Sequence, residues 1–394
     1  MDRKPEKLNQ LIGTKLSPLL MGVGVVFLGV TALLISLDKH HFFSYLTSYV
    51  FYLSLTLGAF FLVLIHHLTR AGWSVVIRRI PETLMRNITL MAVLFVPILV
   101  FGMHDLFHWT HAKDVATDHL LQVKAPYLNV SFFTIRAILY FIIWGALIAV
   151  FYRKSIFQDH FNEPELTLHM QKYSTFGVLL FALTISFASI DWIMSLTPHW
   201  FSTIFGVYYF AGSVVMGLAT VSMIIILLKK KGYLESIVSI EHIHDLGKFL
   251  YGFIVFWTYI GFSQFFLIWY ANIPEETFWY SDHFTGSWNN VAIFLVIGHF
   301  VIPFLLFMSR HVKRNMNLHL AMVCWMIFMH FVDLYWVIMP TASKAGVHFS
   351  IVDLTSFLGI TGVYAGMFLK RLSKESLYPV QDPRLEESIH FHNV

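Results

Sequence analysis

The sequence predicts an all-α integral membrane protein with ten transmembrane helices. Three observations predict it. Hydrophobic residues make up 57% of the 394 positions against 13% charged, the apolar residues gather in runs long enough to cross a bilayer, and Lys and Arg alternate between rich and poor loops. The mean hydropathy of +0.66 and the 39 Phe and 11 Trp point the same way, because a soluble domain could not keep that much apolar surface from water.

Runs of about 17–25 apolar residues, enough to span hydrocarbon roughly 30 Å thick, fall at approximately 18–36, 45–66, 87–103, 130–152, 172–194, 203–228, 248–270, 288–309, 317–339 and 351–369. The first follows a stretch with Arg3, Lys4, Lys7 and Lys15 and has no small-residue cleavage site, so it is expected to be a retained helix. Between the second and third, Thr69 to Arg86 sets Trp73, Val75, Val76, Ile77 and Ile80 among four arginines, the pattern of an amphipathic segment lying on the membrane surface. The third run is the shortest and holds Pro97. Arg136 in the fourth is long enough to snorkel to the outer surface. The fifth ends near Asp191. Gly206, Ser213 and Gly217 share a face of the sixth, which suits close helix packing. Trp257, Gly261 and Gln264 share a face of the seventh. The eighth has His299 at its middle and Pro303 four residues later, which frees the His299 carbonyl. The ninth carries His330 and Asp333, and Asp353 begins the tenth. A tail of 1–17, a membrane domain of 18–369 and a tail of 370–394 follow from these limits, the second tail being a short polar extension.

Of the 27 Lys and Arg, 22 fall in the two tails and the even-numbered loops, four in the odd-numbered loops, and Arg136 within a helix. Positive residues stay on the cytoplasmic side, so both termini are expected there. The net charge of +4 is therefore a topology signal and a contact for anionic lipid, not a sign of nucleic-acid binding. On the opposite side, Ala271 to Ser287 has Glu275, Glu276 and Asp282 around Phe278, Trp279 and Tyr280 and no Lys or Arg, a mix suited to docking another subunit.

The single cysteine, Cys324, cannot hold an iron–sulfur cluster, which needs several thiolates. Of the 21 His, only His299 and His330 lie deep in a run and each is alone there, which argues against paired haem ligation. No metal or bound cofactor is expected in the chain. Charge at bilayer depth costs about 2.5–3.5 kcal/mol or more, so Asp191, His299, His330, Asp333 and Asp353 mark where function should lie. Topology places all but His299 in the non-cytoplasmic half, with Gln264 among them. His330 and Asp333, three apart, are neighbours on one face, where a carboxylate can orient an imidazole and favour its proton. Each group also has a packing explanation: Asp191 and Asp353 lie near helix ends, where a carboxylate can cap a neighbour.

The runs DWIMSLTPHWFSTIFGVYYFAG at 191–212, HDLGK at 244–248, QFFLIWYANIPEET at 264–277 and HFVDLYW at 330–336 closely resemble NrfD-like membrane subunits, in particular those of the bacterial alternative complex III, a quinol:cytochrome c oxidoreductase. The resemblance covers about residues 15 to 370. It implies two four-helix bundles plus peripheral helices in the bacterial inner membrane. It also implies a sister NrfD-like subunit, an iron–sulfur subunit and c-type haem subunits as partners. Electrons then travel through those partners. This chain is then expected to hold no catalytic residue of its own and to support quinol binding, proton translocation or both, through His330, Asp333, Asp191, His299, Gln264, Asp353 and Trp257. The alternative is a proton-coupled secondary transporter, for which the expected matched pair of broken helices is missing: Pro97 and Pro303 are the mid-span prolines and no Gly/Pro pairing links them.

Overall fold

A computed structural model describes residues 5–161 and 163–392. Arg3 and Lys4 of the basic N-terminal stretch lie outside the described residues. Among the described residues, ten helices are long and apolar enough to cross a membrane: α1 (Ile12–Leu37), α2 (Lys39–Leu68), α3 (Arg79–Leu106), α4 (Val130–His160), α5 (Glu165–Leu196), α6 (Phe205–Lys230), α7 (Ile240–Ala271), α8 (Ser287–Met308), α9 (Met316–Ala342) and α10 (Ile351–Leu372). Each coincides with one of the runs read from the sequence, and all but α6 and α8 contain the whole of it.

The helices overrun those runs because capping groups, and not the last apolar residue, decide where a helix stops. Asn129 accepts the Phe132 N–H at 2.9 Å to start α4, and Ser239 with His242 forms a capping box that starts α7. Asn272, at a left-handed φ of 51°, ends it. The mid-span prolines act as the missing N–H requires: π-helical turns occupy Ile98–Gly102 just after Pro97 and Val296–Val301 just before Pro303.

The core is built on α2 and α6, both buried along nearly their whole length. They approach so closely at one crossing that a Cβ on Gly217 would lie 2.8 Å from the Gly58 carbonyl carbon, which is the close packing expected of the Gly206/Ser213/Gly217 face. A second small-residue crossing joins α1 to α10, where a Cβ on Gly24 would lie 2.5 Å from the Val363 nitrogen. Helices α3, α5, α7, α9 and α10 pack around the α2–α6 pair, and α1, α4 and α8 lie outside them.

Hydrogen bonds sort the loops onto two faces. On one, the Leu234 N–H donates to Glu6, the Leu377 N–H to the Glu6 carbonyl, Arg70 to Gln171, Arg314 to Glu241 and Lys230 to Asn317. These join the N-terminal segment, the even-numbered loops and the C-terminal segment. On the other, His40 bonds Ala342, Lys124 bonds Pro198 and the Val347 N–H donates to Ser287. This is the alternation that ten crossings demand.

Three expectations are corrected. Residues 74–85 do not lie on the surface as an amphipathic segment; all are buried within the chain. Arg78 bonds Glu82 at 3.1 Å and Asp382 at 2.5 Å, and Arg79 bonds Asp159 at 2.5 Å and reaches Glu82 at 3.2 Å. Burial opposes the Arg78 charge, and Asp382 and Glu82 outweigh it, holding its pKa above the ordinary value. The tail after α10 is accordingly no free extension: Leu377, Tyr378, Leu385 and Ser388 are buried against that segment, and Ser388 donates to the Trp73 carbonyl at 2.6 Å. Nor do Trp279 and Tyr280 face outward for docking. They turn inward, Trp279 stacking on Trp200 at 4.5 Å.

Candidate functional site

His330 is placed by α2 and α6 as much as by its own helix. The Ser54 hydroxyl donates to the Phe51 carbonyl at 2.7 Å and lies 2.8 Å from His330 Nε2. In the tautomer that keeps this hydrogen on the Phe51 carbonyl, Nε2 carries the N–H and Ser54 accepts it. That leaves His330 Nδ1 as a bare lone pair without a hydrogen-bond partner among the described residues, 3.9 Å from Asp333 Oδ2. A proton taken up by His330 goes on Nδ1, facing the carboxylate. Asp333 Oδ1 accepts a short hydrogen bond from the Tyr208 hydroxyl of α6. Space for the imidazole exists because residue 212 is glycine: a Cβ there would stand 2.9 Å from His330 Cε1 and 3.6 Å from Trp257 Cδ1.

Trp257 links this group to α8, its ring centroid lying 3.8 Å from that of His299. His299 is fully buried, and neither of its nitrogens has a hydrogen-bond partner among the described residues. The π-turn that presents it also offers a carbonyl to a side chain: Trp325 Nε1 donates to Gly298 at 2.7 Å.

Next to these groups lies a cavity of about 680 Å³, lined by aromatic and aliphatic side chains of α6, α7, α8 and α9 and of the short helix Pro274–His283. Tyr208 and Trp257 form the wall it shares with the His330 group. Tyr259, Phe262 and Val296, all on its rim, are exposed on the apolar flank of the molecule, so the cavity opens sideways. The polar atoms within reach are few. Gln264 Nε2 donates to the Tyr280 hydroxyl at 3.1 Å, and Gln264 Oε1 accepts from Ser202 at 2.8 Å. A volume of several hundred Å³ with an apolar lining and a few convergent polar groups is the usual form of a small-molecule site.

Five of the seven residues expected at the site are therefore together: His330, Asp333, His299, Trp257 and Gln264. Asp191 and Asp353 are elsewhere. Arg136 grips Asp191 with two bonds, Nε at 2.8 Å and Nη2 at 2.9 Å, and Tyr140 donates to the same carboxylate at 2.8 Å. Arg136 does not snorkel outward: a buried carboxylate claims it, and its guanidinium stacks 3.9 Å from the Tyr127 ring. Asp353 caps α10, accepting the Ser350 N–H at 2.7 Å.

No known protein family matches the chain, and no curated protein does.

Tyr208, Ser54 and Gly212 belong to the site and were not singled out from the sequence, and Tyr280, which also belongs to it, was read there as part of a docking surface. None carries charge, and each gains its meaning from a residue more than a hundred positions away or from a neighbouring helix. A His/Asp group on the loop before α4 has the spacing of metal ligands, His108, His111 and Asp114 offering atoms within 4.8 Å of one another. Both nitrogens of His111 face acceptors, Nδ1 the Asp114 carboxylate at 3.0 Å and Nε2 the His104 carbonyl at 2.7 Å.

Proposed function

We propose that the chain is the integral membrane subunit of a quinol:cytochrome c oxidoreductase of the alternative complex III type, built as two four-helix bundles plus peripheral helices. In this reading both termini face the cytoplasm and the membrane is the bacterial inner membrane. The partners are a sister NrfD-like subunit, an iron–sulfur subunit and c-type haem subunits. The observation that carries the reading is the laterally open aromatic cavity walled by Tyr208, whose hydroxyl is already bonded to Asp333 beside His330.

A quinol headgroup is a flat apolar ring with two hydroxyls, and it reaches such a cavity directly from the bilayer. The Tyr280 hydroxyl accepts from Gln264, so its own hydrogen is available to a quinone carbonyl. On oxidation the quinol loses two electrons, which pass to the partner subunits, and two protons. One proton moves onto the Tyr208 oxygen as Tyr208 passes its own to Asp333, and the bare Nδ1 of His330 is the next acceptor. His299 lies across Trp257 from the same centre.

The test is turnover of the purified complex carrying Asp333→Asn or His330→Ala. Quinol:cytochrome c activity should fall about a hundredfold or more, the usual size of a lost proton-transfer group, with all subunits still associated. Unchanged turnover and proton yield would assign the pair to packing. A second reading, a proton-coupled transporter, draws on the π-turns of α3 and α8, since broken helices are where transporters bind. Recovery of the chain free of c-type haem proteins, together with solute uptake into liposomes, would favour it.

A further inference from the structure

Arg86, Lys370, Arg371 and Lys374 converge with Tyr152 and Glu375 on a cleft of about 220 Å³ where α3, α4 and α10 end on the Lys/Arg-rich face. The cleft holds four cations against one carboxylate, and among the described residues none of the four makes a salt bridge. Two are held in place without being neutralised. The Arg86 guanidinium lies 4.3 Å from the centre of the Tyr152 ring. Arg371 donates to the neutral Asn87 Oδ1 at 2.7 Å and Thr89 Oγ1 at 3.0 Å, which leaves it N–H groups to spare. Lys370 and Lys374 are exposed at the mouth. Fixing like charges together costs free energy unless an anion joins them.

The cleft is also continuous with apolar surface. Thr89, which holds Arg371, begins a stripe along α3 at helical spacing, with Val93 65% exposed, Val96 49% and Val100 62%. That stripe runs from the cations toward the middle of the membrane-spanning surface. An inorganic anion has no use for it; an acyl chain does.

We propose that this cleft binds the phosphate of an anionic diacyl phospholipid, with one acyl chain lying along the Val93–Val96–Val100 stripe. The guanidinium groups of Arg86 and Arg371 take the phosphate oxygens and the two lysines complete the charge. This site is separate from the cavity beside Tyr208 and does not depend on what that cavity binds.

The test is lipid binding to the purified full-length chain in detergent by native mass spectrometry. The probes are phosphatidylglycerol, phosphatidylcholine of the same acyl chains, and inorganic phosphate. Lys370→Gln/Lys374→Gln removes two charges whose side chains make no hydrogen bond among the described residues, so folding should survive. At roughly fivefold per lysine, phosphatidylglycerol binding should weaken about thirtyfold. Lys15→Gln/Lys231→Gln, which removes two charges from another groove on the same face, should change it less than about twofold. Equal losses in the two double variants, equal binding of the two lipids, or full occupancy by inorganic phosphate with no gain from acyl chains would each overturn the assignment.

Discussion

Gly212 shows how one missing side chain makes a site. In a helix interior glycine is about 1 kcal/mol less favourable than alanine, so Gly212→Ala should help α6 as an isolated helix. In the folded protein its Cβ meets His330 Cε1 at 2.9 Å, and the ring must leave Ser54. The expected outcome is a loss of turnover far larger than any change in melting temperature, checked by measuring both on one preparation. Arg136 and Asp191 behave in the opposite way. Removing either partner leaves a buried charge, and breaking such a pair typically costs about 3–5 kcal/mol. Thermal unfolding in detergent should show that loss for Arg136→Gln, whereas Arg136→Met with Asp191→Leu should recover much of it. Equal instability of the double variant would mean that the Tyr127 and Tyr140 contacts, and not the charges, set the cost. From the sequence, an Arg in one helix and an Asp 55 positions on are two anomalies; only the packing of α4 on α5 makes them one neutral unit.

Helices were legible because their signal is additive: about twenty apolar residues in a row outweigh any single polar one. Their ends were not, since an Asn, Ser or left-handed residue at the cap carries little signal against the composition around it. The short helix Pro274–His283 shows a second limit. Its acidic and aromatic residues suggest a surface for a partner, yet Trp279 and Tyr280 face inward, and His283 is buried with Nδ1 2.7 Å from the Trp279 carbonyl. Burial pushes the His283 pKa down to about 4, against the pull of the Trp279 and Val337 carbonyls. A histidine whose folded pKa lies below its unfolded value of about 6.5 favours the fold when neutral. Its contribution is therefore complete above pH 6.5 and is lost as the pH falls toward 4, by at most about 3 kcal/mol. His283→Gln should flatten this part of the pH–stability curve of the detergent-solubilised protein; an unaltered slope between pH 6.5 and 4 would mean that other groups set it.

At the level of the whole molecule, charge is handled differently on the two faces. Sequence alone shows the lopsided count of Lys and Arg, and that asymmetry survives in the structure as two sets of loops that bond among themselves. What the count hides is that residues 74–85, which carry two of those arginines, are an interior element. Arg78 and Arg79 look like surface charge because their carboxylates are remote: Glu82 is near in sequence, but Asp159 belongs to the end of α4 and Asp382 to the C-terminal segment. A segment that reads as a polar tail thus closes the bundle, with Asp159 also accepting the Val380 N–H at 2.9 Å. The prediction at this scale is that Asp382→Asn destabilises the solubilised protein by about 3–5 kcal/mol, because Arg78 is left buried with Glu82 shared between two arginines. Deleting residues 376–394 should cost at least as much, since it also uncovers Val75, Val76 and Ile77. Both effects should appear as a lower unfolding midpoint in detergent, and the deletion should open Arg78 to proteolysis near residues 70–78. A deletion variant as stable as the full chain would make the tail the loose extension that its composition suggests.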